Sequence, residues 1–318
     1  SRSLHEALEY YTTAGCAVDT AHRRFEQQRF TLLDAQLPYF GHLLTVADDL
    51  RERYRAWADA LASDFTEICS AAGFLPESRE QQRSLYEQVV HPLTQAGHKV
   101  AYFLIDAFRY EMATELLDAF AGAGTTVHLG GRYAELPSIT AVGMNALAPV
   151  AKAGRLTLAG DSGFSGFKTG EYTVRRPDER VRAMGDRSVD NVRSGRKKTR
   201  GVSLSDVCTW PTASLKKSCG DADLIVVHSR EIDDAGEANV GLATFEIWLQ
   251  QIKSAWAHLK TIGVNAFVFT ADHGFLLQDQ TTQEKPYGSK RDPNRRHIVA
   301  AEARAEEGMV NVSLNAFR

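Results

Sequence analysis

Apolar residues in the first hundred positions recur at helical spacing. The clearest run steps by three and four residues, which places its members on one stripe of a helix: Ala47, Leu50, Tyr54, Trp57, Leu61, Phe65 and Ile68. Gly73 ends this helix, and a shorter helical stretch follows until Gly97. The pattern predicts a helical bundle over residues 1–97, with the aromatic members of the stripe in its core and not on a base-stacking surface.

The pattern changes after Gly97 to short, continuous apolar runs separated by helical stretches. These runs cover residues 100–105, 224–227 and 266–269. Runs of this length without polar alternation are typical of strands that are buried on both faces of a parallel sheet. Residues 98–318 are therefore predicted to form an α/β core, a sheet of mostly parallel strands with flanking helices.

Residue types that bind metal ions follow each of the three apolar runs. Asp106 follows the first run, Asp233 lies shortly after the second, and Asp272 with His273 follows the third. Ligand sites of open parallel sheets lie beyond the carboxyl ends of the strands, so these side chains are predicted to meet at one edge. An aspartate at a strand end also serves as a helix cap, which is an equally good account of each position taken alone.

A hydroxyl group lies where a proline-containing turn passes into a helical stretch. Thr140 follows Pro137 and precedes a stretch that runs to Leu147. Backbone N–H groups at the start of a helix bind phosphate, although threonine is also an ordinary N-cap. An alcohol of ordinary pKa needs a metal ion or a base to become a nucleophile. The hypothesis that Thr140 attacks phosphorus therefore depends on the acidic cluster nearby.

Four motifs in a fixed order resemble a known family: FLIDAFRYE (103–111), LPSITAVGM (136–144), HSREIDDAGE (228–237) and TADHGF (270–275). Together they resemble the alkaline-phosphatase superfamily and, within it, the PglZ domain of bacterial phage-defence systems (BREX and phage growth limitation). The resemblance covers roughly residues 95–280, and the helical segment before them also resembles what often precedes this core. It implies an alkaline-phosphatase-like sheet and a metal-dependent hydrolase of phosphate mono- or diesters.

The resemblance also implies roles for individual residues. One divalent ion is expected at Asp106, Thr140, Asp272 and His273, with Thr140 also the nucleophile. A second ion is expected at Asp233 and Glu237. Glu237 stands where the superfamily commonly has histidine, which favours Mn, Mg or Ca over Zn and leaves the identity of the metal open.

Two further expectations concern residues around this site. The family's late histidine, part of a His-Gly-Gly type motif, does not occur before Arg318, so the core is predicted to be truncated at its C-terminus. His297 is the only histidine after His273, and a surface position in a basic loop is the preferred interpretation. Arg109, within a turn of Asp106, is predicted to bind a phosphate oxygen, with a helix-surface ion pair as the alternative.

Charge matters only locally. The formal net charge is −3, but about residues 174–201 form a basic, loop-like insertion. This insertion is either a solvated segment or a clamp for a phosphate-rich substrate. The resemblance then favours nucleic acid or a nucleotide as the substrate and other phage-defence proteins as partners.

The compartment and one alternative function complete the expectations. No run approaches the ~20 apolar residues of a membrane span, so no membrane association is expected. Four scattered cysteines without CxxC spacing favour a cytoplasmic protein. The alternative function is a weakly active or inactive binding component of a defence complex, because the second metal site is incomplete.

Overall fold

The N-terminal third is helical in the computed structural model, which describes residues 3–31, 36–121, 125–152, 154–159, 163–169, 173–187, 198–232, 244–277, 297–303 and 310–314. The α-helices of this third are α1 (Leu4–Tyr10), α2 (Cys16–Thr31), α3 (Phe40–Ala72) and α4 (His91–Gln95). Helix α3 ends where Gly73 takes a φ of +86°, a left-handed conformation that glycine adopts without strain. The predicted long helix and its end are thus confirmed.

The apolar stripe of α3 is only partly core. Ala47, Tyr54 and Ile68 are buried, but Leu50 is exposed. Trp57 is half-buried and lines a cavity between the N-terminal helices and the rest of the chain. The helical spacing predicted which residues share a face, but it did not show how much of that face is covered.

A four-stranded parallel sheet lies at the centre of the protein, and its strands are β1 (Val100–Ile105), β5 (Thr199–Ser203), β6 (Leu224–Ser229) and β7 (Ala266–Ala271). Their order across the sheet is β5-β6-β1-β7. The three predicted strands are confirmed, and with them the α/β fold class. Every residue of β1 is buried, whereas β7 is partly exposed along its whole length. Burial on both faces, predicted for all three runs, therefore does not hold for β7.

Helices cover both faces of this sheet: α5 (Tyr110–Ala121), α6 (Thr140–Ala146), α8 (Leu204–Thr209), α9 (Thr212–Cys219) and α10 (Thr244–Thr261). Successive side chains of β1 point to opposite faces. Phe103 packs in the cluster that includes Met112 of α5, and Tyr102 packs in the cluster that includes Val142 of α6. Of the helices described, none is both long and apolar enough to cross a bilayer.

A second sheet and a helix occupy a region that the sequence pattern did not resolve. The sheet is antiparallel and consists of β2 (Arg155–Ala159), β3 (Gly163–Lys168) and β4 (Thr173–Val174), and helix α7 (Pro177–Arg187) follows it. The description of the basic insertion as loop-like is wrong for α7. Proline at its first position, with Asp178 and Glu179 in the first turn, favours a helix start, and these signals were masked by the arginines around them.

Ion pairs connect the N-terminal helices with the core. Arg23 of α2 lies 2.9 Å from Glu111 of α5, and both side chains are fully buried. Asp19 of α2 lies 3.0 Å from Arg109, which precedes α5. The chain passes from helix to strand between Gln95 and Val100. A division into two domains near residue 97 stays a prediction.

Candidate metal centre at the strand ends

Two neighbouring strands and one helix bring four of the predicted residues together. Asp106 follows β1, Asp272 and His273 follow β7, and Thr140 is the first residue of α6. Asp106, Asp272 and His273 are buried, and each offers one ligand atom within 4.8 Å of the others. We call these four residues the strand-end cluster. Their roles as ligands and nucleophile stay predictions.

The hydroxyl of Thr140 lies inside hydrogen-bond distance of two members of the cluster. Its Oγ1 is 3.3 Å from Asp106 Oδ1 and 3.2 Å from His273 Nε2. Ile139, the residue before α6, has extended backbone geometry, so the chain enters the helix at Thr140. The hydroxyl is therefore held among the same atoms that are available to a cation.

The orientation of the His273 ring turns one nitrogen toward the other members of the cluster. Nδ1 lies 3.1 Å from the carbonyl oxygen of Gly274, which can only accept a hydrogen bond, so Nδ1 is the donor there. Nε2 faces Thr140, Asp106 and Asp272. Histidines that bind metal ions are commonly fixed in this way by a hydrogen bond at the other nitrogen.

Backbone N–H groups fix one oxygen of Asp272. Oδ1 accepts hydrogen bonds from the N–H of Ala107 at 3.0 Å and from that of His273 at 2.8 Å. Ala107 donates from a left-handed conformation with a φ of +57°, which turns the chain immediately after Asp106. One amide group thus connects the end of β1 with the end of β7.

Two residues that the sequence did not single out support this arrangement. Gln82 donates its side-chain amide to the carbonyl oxygens of Ala271 and Asp272, at 2.6 and 2.8 Å. Gly143 of α6 lies so close that a Cβ there would be 2.3 Å from the Asp272 carbonyl oxygen. Gln82 lies 190 residues from Asp272 in sequence, and no local pattern marks it. Gly143 belongs to the motif LPSITAVGM, and a glycine in the middle of a helix indicates close packing.

The electrostatics of the cluster favour a divalent cation. Burial raises the pKa of Asp272 to about 6, although the N–H donors of Ala107 and His273 act in the opposite direction. Its second oxygen, Oδ2, accepts no hydrogen bond within the described part of the chain. Two buried carboxylates that lie close together repel each other, a bound cation would relieve that repulsion, and oxygen and imidazole donors suit Mn, Zn or Mg. The residues present therefore fit a metal ion.

The second predicted metal site cannot be placed. Asp233 and Glu237 lie outside the described residues. His297 is half-buried, and its ring packs 5.3 Å from that of Phe164 of β3, so the predicted surface position is wrong. Neither ring nitrogen of His297 has a hydrogen-bond partner among the residues that the structure describes.

Arg109 has other partners than the phosphate that was predicted. Its guanidinium lies 3.0 Å from Asp19 and 3.6 Å from Glu111, and 5.2 Å from the ring centre of Phe275. The side chain is 3% exposed, so the pairing is a buried one and not the helix-surface pair considered as the alternative. Asp19 lies 90 positions earlier, which is why the sequence around Arg109 gave no sign of it. We call Asp19, Arg23, Arg109 and Glu111 the interface network.

The described arginines of the basic insertion mostly pair with nearby acids. Arg175 pairs with Glu179, Arg176 with Asp178 and Glu179, and Arg182 with Asp186. Such pairs on a helix surface are typical of a solvated segment. Residues 188–197 lie outside the described residues, so the clamp for a phosphate-rich substrate stays a prediction.

His228 lies near the end of β6 with one ring nitrogen unpaired. Burial and the charge of Arg180 lower its pKa to about 3, so the ring is neutral. Its Nε2 is buried and has no hydrogen-bond partner among the described residues. His228 is therefore a neutral histidine with one buried nitrogen that has no partner among the described residues.

A cavity of about 840 Å³ adjoins the strand-end cluster. Asp272 and His273 are among its lining residues, as are Trp57 and Phe65 of α3 and Tyr133. This volume lies in the range of sites that bind small molecules. The N-terminal helices therefore form one wall of the space beside the candidate metal centre.

Comparison with known proteins agrees with the four motifs. Residues 85–315 match the family described as BREX system PglZ alkaline phosphatase-like domain. The chain is also similar to the "Alkaline phosphatase-like protein PglZ" of Bacillus cereus (strain H3081.97), with 24% identity over 272 residues, which are 81% of this chain and 29% of that protein. The chain thus spans less than a third of the length of this curated relative. The family match covers well over half of the chain, and the chain therefore belongs to the PglZ family of alkaline phosphatase-like domains.

Proposed function

We propose that this chain is a metal-dependent phosphoryl-ester hydrolase that acts in phage defence, with Thr140 as its nucleophile. The observation that carries the proposal is the position of Thr140 Oγ1, 3.3 Å from Asp106 Oδ1 and 3.2 Å from His273 Nε2. A hydroxyl placed among buried ligand atoms is suited to nucleophilic attack beside a bound cation. The defence role rests on the family and on the similar Bacillus protein.

The reaction proceeds in two displacements. Thr140 Oγ1 forms a bond to phosphorus while the ester P–O bond breaks, and the leaving oxygen departs with the bonding electrons and takes a proton from water. The Thr140 proton passes to Asp106 Oδ1, to which the hydroxyl already donates a hydrogen bond. Water then attacks phosphorus, the bond from Thr140 Oγ1 to phosphorus breaks, and Oγ1 takes back the proton held by Asp106. The proton lost by the attacking water neutralises the hydroxide left by the first displacement. A bound divalent ion would lower the pKa of the hydroxyl and neutralise charge on the phosphoryl oxygens.

Asp106, Asp272 and His273 would hold this ion. Asp106 and Asp272 would supply carboxylate oxygens, and His273 would supply Nε2, since its Nδ1 faces a carbonyl oxygen. A second ion at Asp233 and Glu237 is part of the proposal, as is a choice among Zn, Mn, Mg and Ca. A phosphodiester in a nucleotide or in nucleic acid is the proposed substrate, since threonine at the nucleophile position resembles the superfamily's phosphodiesterases.

Hydrolysis of chromogenic phosphate mono- and diesters and of plasmid DNA tests the proposal. The chain is assayed with Mn, Mg, Zn or Ca and with a chelator. We expect metal-dependent activity that falls about 10³-fold or more in Thr140→Ala and in Asp272→Ala, because each change removes a group that acts together with the others. Thr140→Ser keeps a hydroxyl and is expected to retain measurable activity.

The matched control is Thr209→Ala, which makes the same chemical change at an exposed threonine of α8. Its activity is expected to equal that of the unaltered chain. Full activity in Thr140→Ala would exclude Thr140 as the nucleophile. Absence of hydrolysis with every metal and ester would favour the inactive binding component considered as the alternative.

A further inference from the structure

Helix α7 turns one arginine inward. Arg180 lies on the same face as Ala183 and Met184, at the spacing of three and four residues that defines one side of a helix. Both neighbours belong to the apolar cluster under the central sheet, and Arg180 itself is only 6% exposed. Arginine is almost never this buried unless its charge has a partner.

The other arginines of α7 show how unusual this position is. Arg182 is 80% exposed and pairs with Asp186 one turn later. Arg187 lies 2.9 Å from Glu87. Arg180 has no such ion pair among the residues that the structure describes, so its position is not explained by a local acid on the same helix.

A neutral side chain holds the guanidinium in place. Arg180 Nη1 donates a hydrogen bond of 2.8 Å to Asn145 Oδ1, and Asn145 is a buried residue of α6, the helix that begins at Thr140. The Asn145 amide is itself fixed, because its Nδ2 donates to the carbonyl oxygens of Ala141 and Arg175. Arg180 Nε is buried and has no hydrogen-bond partner within the described residues, so the guanidinium keeps unused donor capacity.

The charge of this guanidinium acts on the strand-end cluster. Burial lowers the pKa of Arg180 to about 10, and the carboxylates of Asp272 and Asp106 are the largest influences that raise it. The side chain is therefore still protonated near neutral pH. A cation bound by the two carboxylates would take up their negative charge, which leaves the guanidinium for another anion.

We propose that Arg180 binds a non-bridging oxygen of the phosphoryl group at the strand-end cluster and that Asn145 positions it. The inference rests on the proposed function, because it names a residue of that same site. A guanidinium presents several N–H donors in a plane and matches the oxygens of a phosphoryl group, which a lysine matches less well. Arg180 would then touch the substrate, whereas Asn145 acts only through Arg180.

The test measures the binding of inorganic phosphate to the Mn-loaded chain by calorimetry. We expect Arg180→Met to raise the phosphate dissociation constant by about 10- to 100-fold, as expected for the loss of a hydrogen bond to a charged group. The phosphate dissociation constant of Arg180→Lys should lie between those of the unaltered chain and Arg180→Met, since lysine keeps the charge but loses the planar donors. The affinity for Mn itself should not fall, because a nearby positive charge opposes metal binding.

Arg182→Met is the matched control, because it removes the same group from the exposed face of the same helix. Its phosphate affinity should equal that of the unaltered chain. Asn145→Ala should weaken phosphate binding less than Arg180→Met does. When both changes are combined, Asn145→Ala should cause no further loss of phosphate affinity, since a residue that acts through Arg180 has no effect once Arg180 is gone.

The inference is overturned if Arg180→Lys and Arg180→Met bind phosphate within twofold of the unaltered chain, or if the unaltered Mn-loaded chain binds no phosphate. Should Arg180→Met fail to fold, Arg180→Lys and Asn145→Ala decide the matter by the same titration. Phosphate binding needs no turnover. A chain that hydrolyses no ester but binds phosphate through Arg180 would contradict the proposed function and support this inference.

Discussion

Two buried clusters in this protein both contain carboxylates but surround them with different groups. In the interface network, the carboxylates of Asp19 and Glu111 each lie close to a guanidinium, at 3.0 and 2.9 Å. In the strand-end cluster, Asp106 and Asp272 share their surroundings with an imidazole and a hydroxyl. Burial alone therefore does not distinguish the two clusters.

The difference teaches how a structural cluster can be told from a candidate functional one. A charge that is buried and paired joins the elements that supply it, and its loss leaves the partner uncompensated. Two buried carboxylates that lie close together repel each other, and the resulting pKa shifts are typical of positions that bind a cation or carry out chemistry. We therefore expect changes in the interface network to affect stability and changes in the strand-end cluster to affect metal binding.

The largest expected effect on stability comes from breaking the interface network. Arg23→Met removes the guanidinium that faces Glu111 and Glu115, so both carboxylates lose a buried partner. We expect a loss of about 3–5 kcal/mol in the free energy of unfolding, measured in urea. Mn affinity of the folded variant should stay unchanged.

Arg24→Met is the matched control for this change. Arg24 also faces Glu115 but is 63% exposed, so we expect a loss below about 1 kcal/mol. Equal losses in the two variants would contradict the distinction between buried and exposed pairs. A fall in Mn affinity in Arg23→Met would contradict the separation of the two clusters.

The second effect is a dependence of stability on pH in the metal-free protein. The pKa of Asp272 is raised by burial from 3.8 to about 6, so between these values the folded state holds a proton that the unfolded state has lost. Stability from this group is therefore lost as the pH rises from about 4 to about 6, by about 3 kcal/mol in total.

Urea denaturation of the unaltered chain and of Asp272→Asn, both with a chelator, measures this contribution together with that of the neighbouring group whose titration is linked to Asp272. The free energy of unfolding of Asp272→Asn should rise relative to that of the unaltered chain as the pH rises. A constant difference between pH 4 and pH 6 would show that Asp272 has no unusual proton affinity.

The smallest expected effect on stability comes from a change at Gly143, a residue without charge that packs against the strand-end cluster. Gly143→Ala places a Cβ against the Asp272 carbonyl, which cannot move away without disturbing the end of β7. We expect a loss of about 1–3 kcal/mol in the free energy of unfolding, together with weaker Mn binding. Alanine normally stabilises a helix relative to glycine by about 1 kcal/mol, so even the sign is informative. A stabilised variant would show that the close contact is not required.

Much of the candidate site could be predicted from the sequence because its signals are local. A continuous apolar run predicts a strand, and the residues that follow it are predicted to lie at the carboxyl edge of the sheet. Asp106 follows one such run, and Asp272 with His273 follows another. Thr140 came from the same kind of local pattern, a turn that passes into a helix. The parallel direction of β1, β6 and β7 also agrees with their continuous apolar runs, whereas their order across the sheet has no local signal.

The residues that sequence reasoning missed depend on contacts over long distances in the chain. The pairing of Arg109 with Asp19 and the hydrogen bonds of Gln82 join positions that share no local pattern. Strand β5, read TRGVS, lacks an apolar run and is defined by its pairing with β6. Arg180 was counted as one basic residue among many, although Ala183 and Met184 at helical spacing were the available sign of an inward face.

The amide of Ala107 has a consequence for the choice of ion. It donates to Asp272 Oδ1 and directly follows Asp106, so a rigid peptide unit, and not two flexible rotamers, sets how far apart these two carboxylates stand. An opening of fixed width accommodates some ionic radii better than others, and Ca, at 2.3–2.6 Å from its oxygens, needs more room than Mg, at about 2.0–2.1 Å. The main chain at the end of β1 would thus contribute to selectivity for ion size.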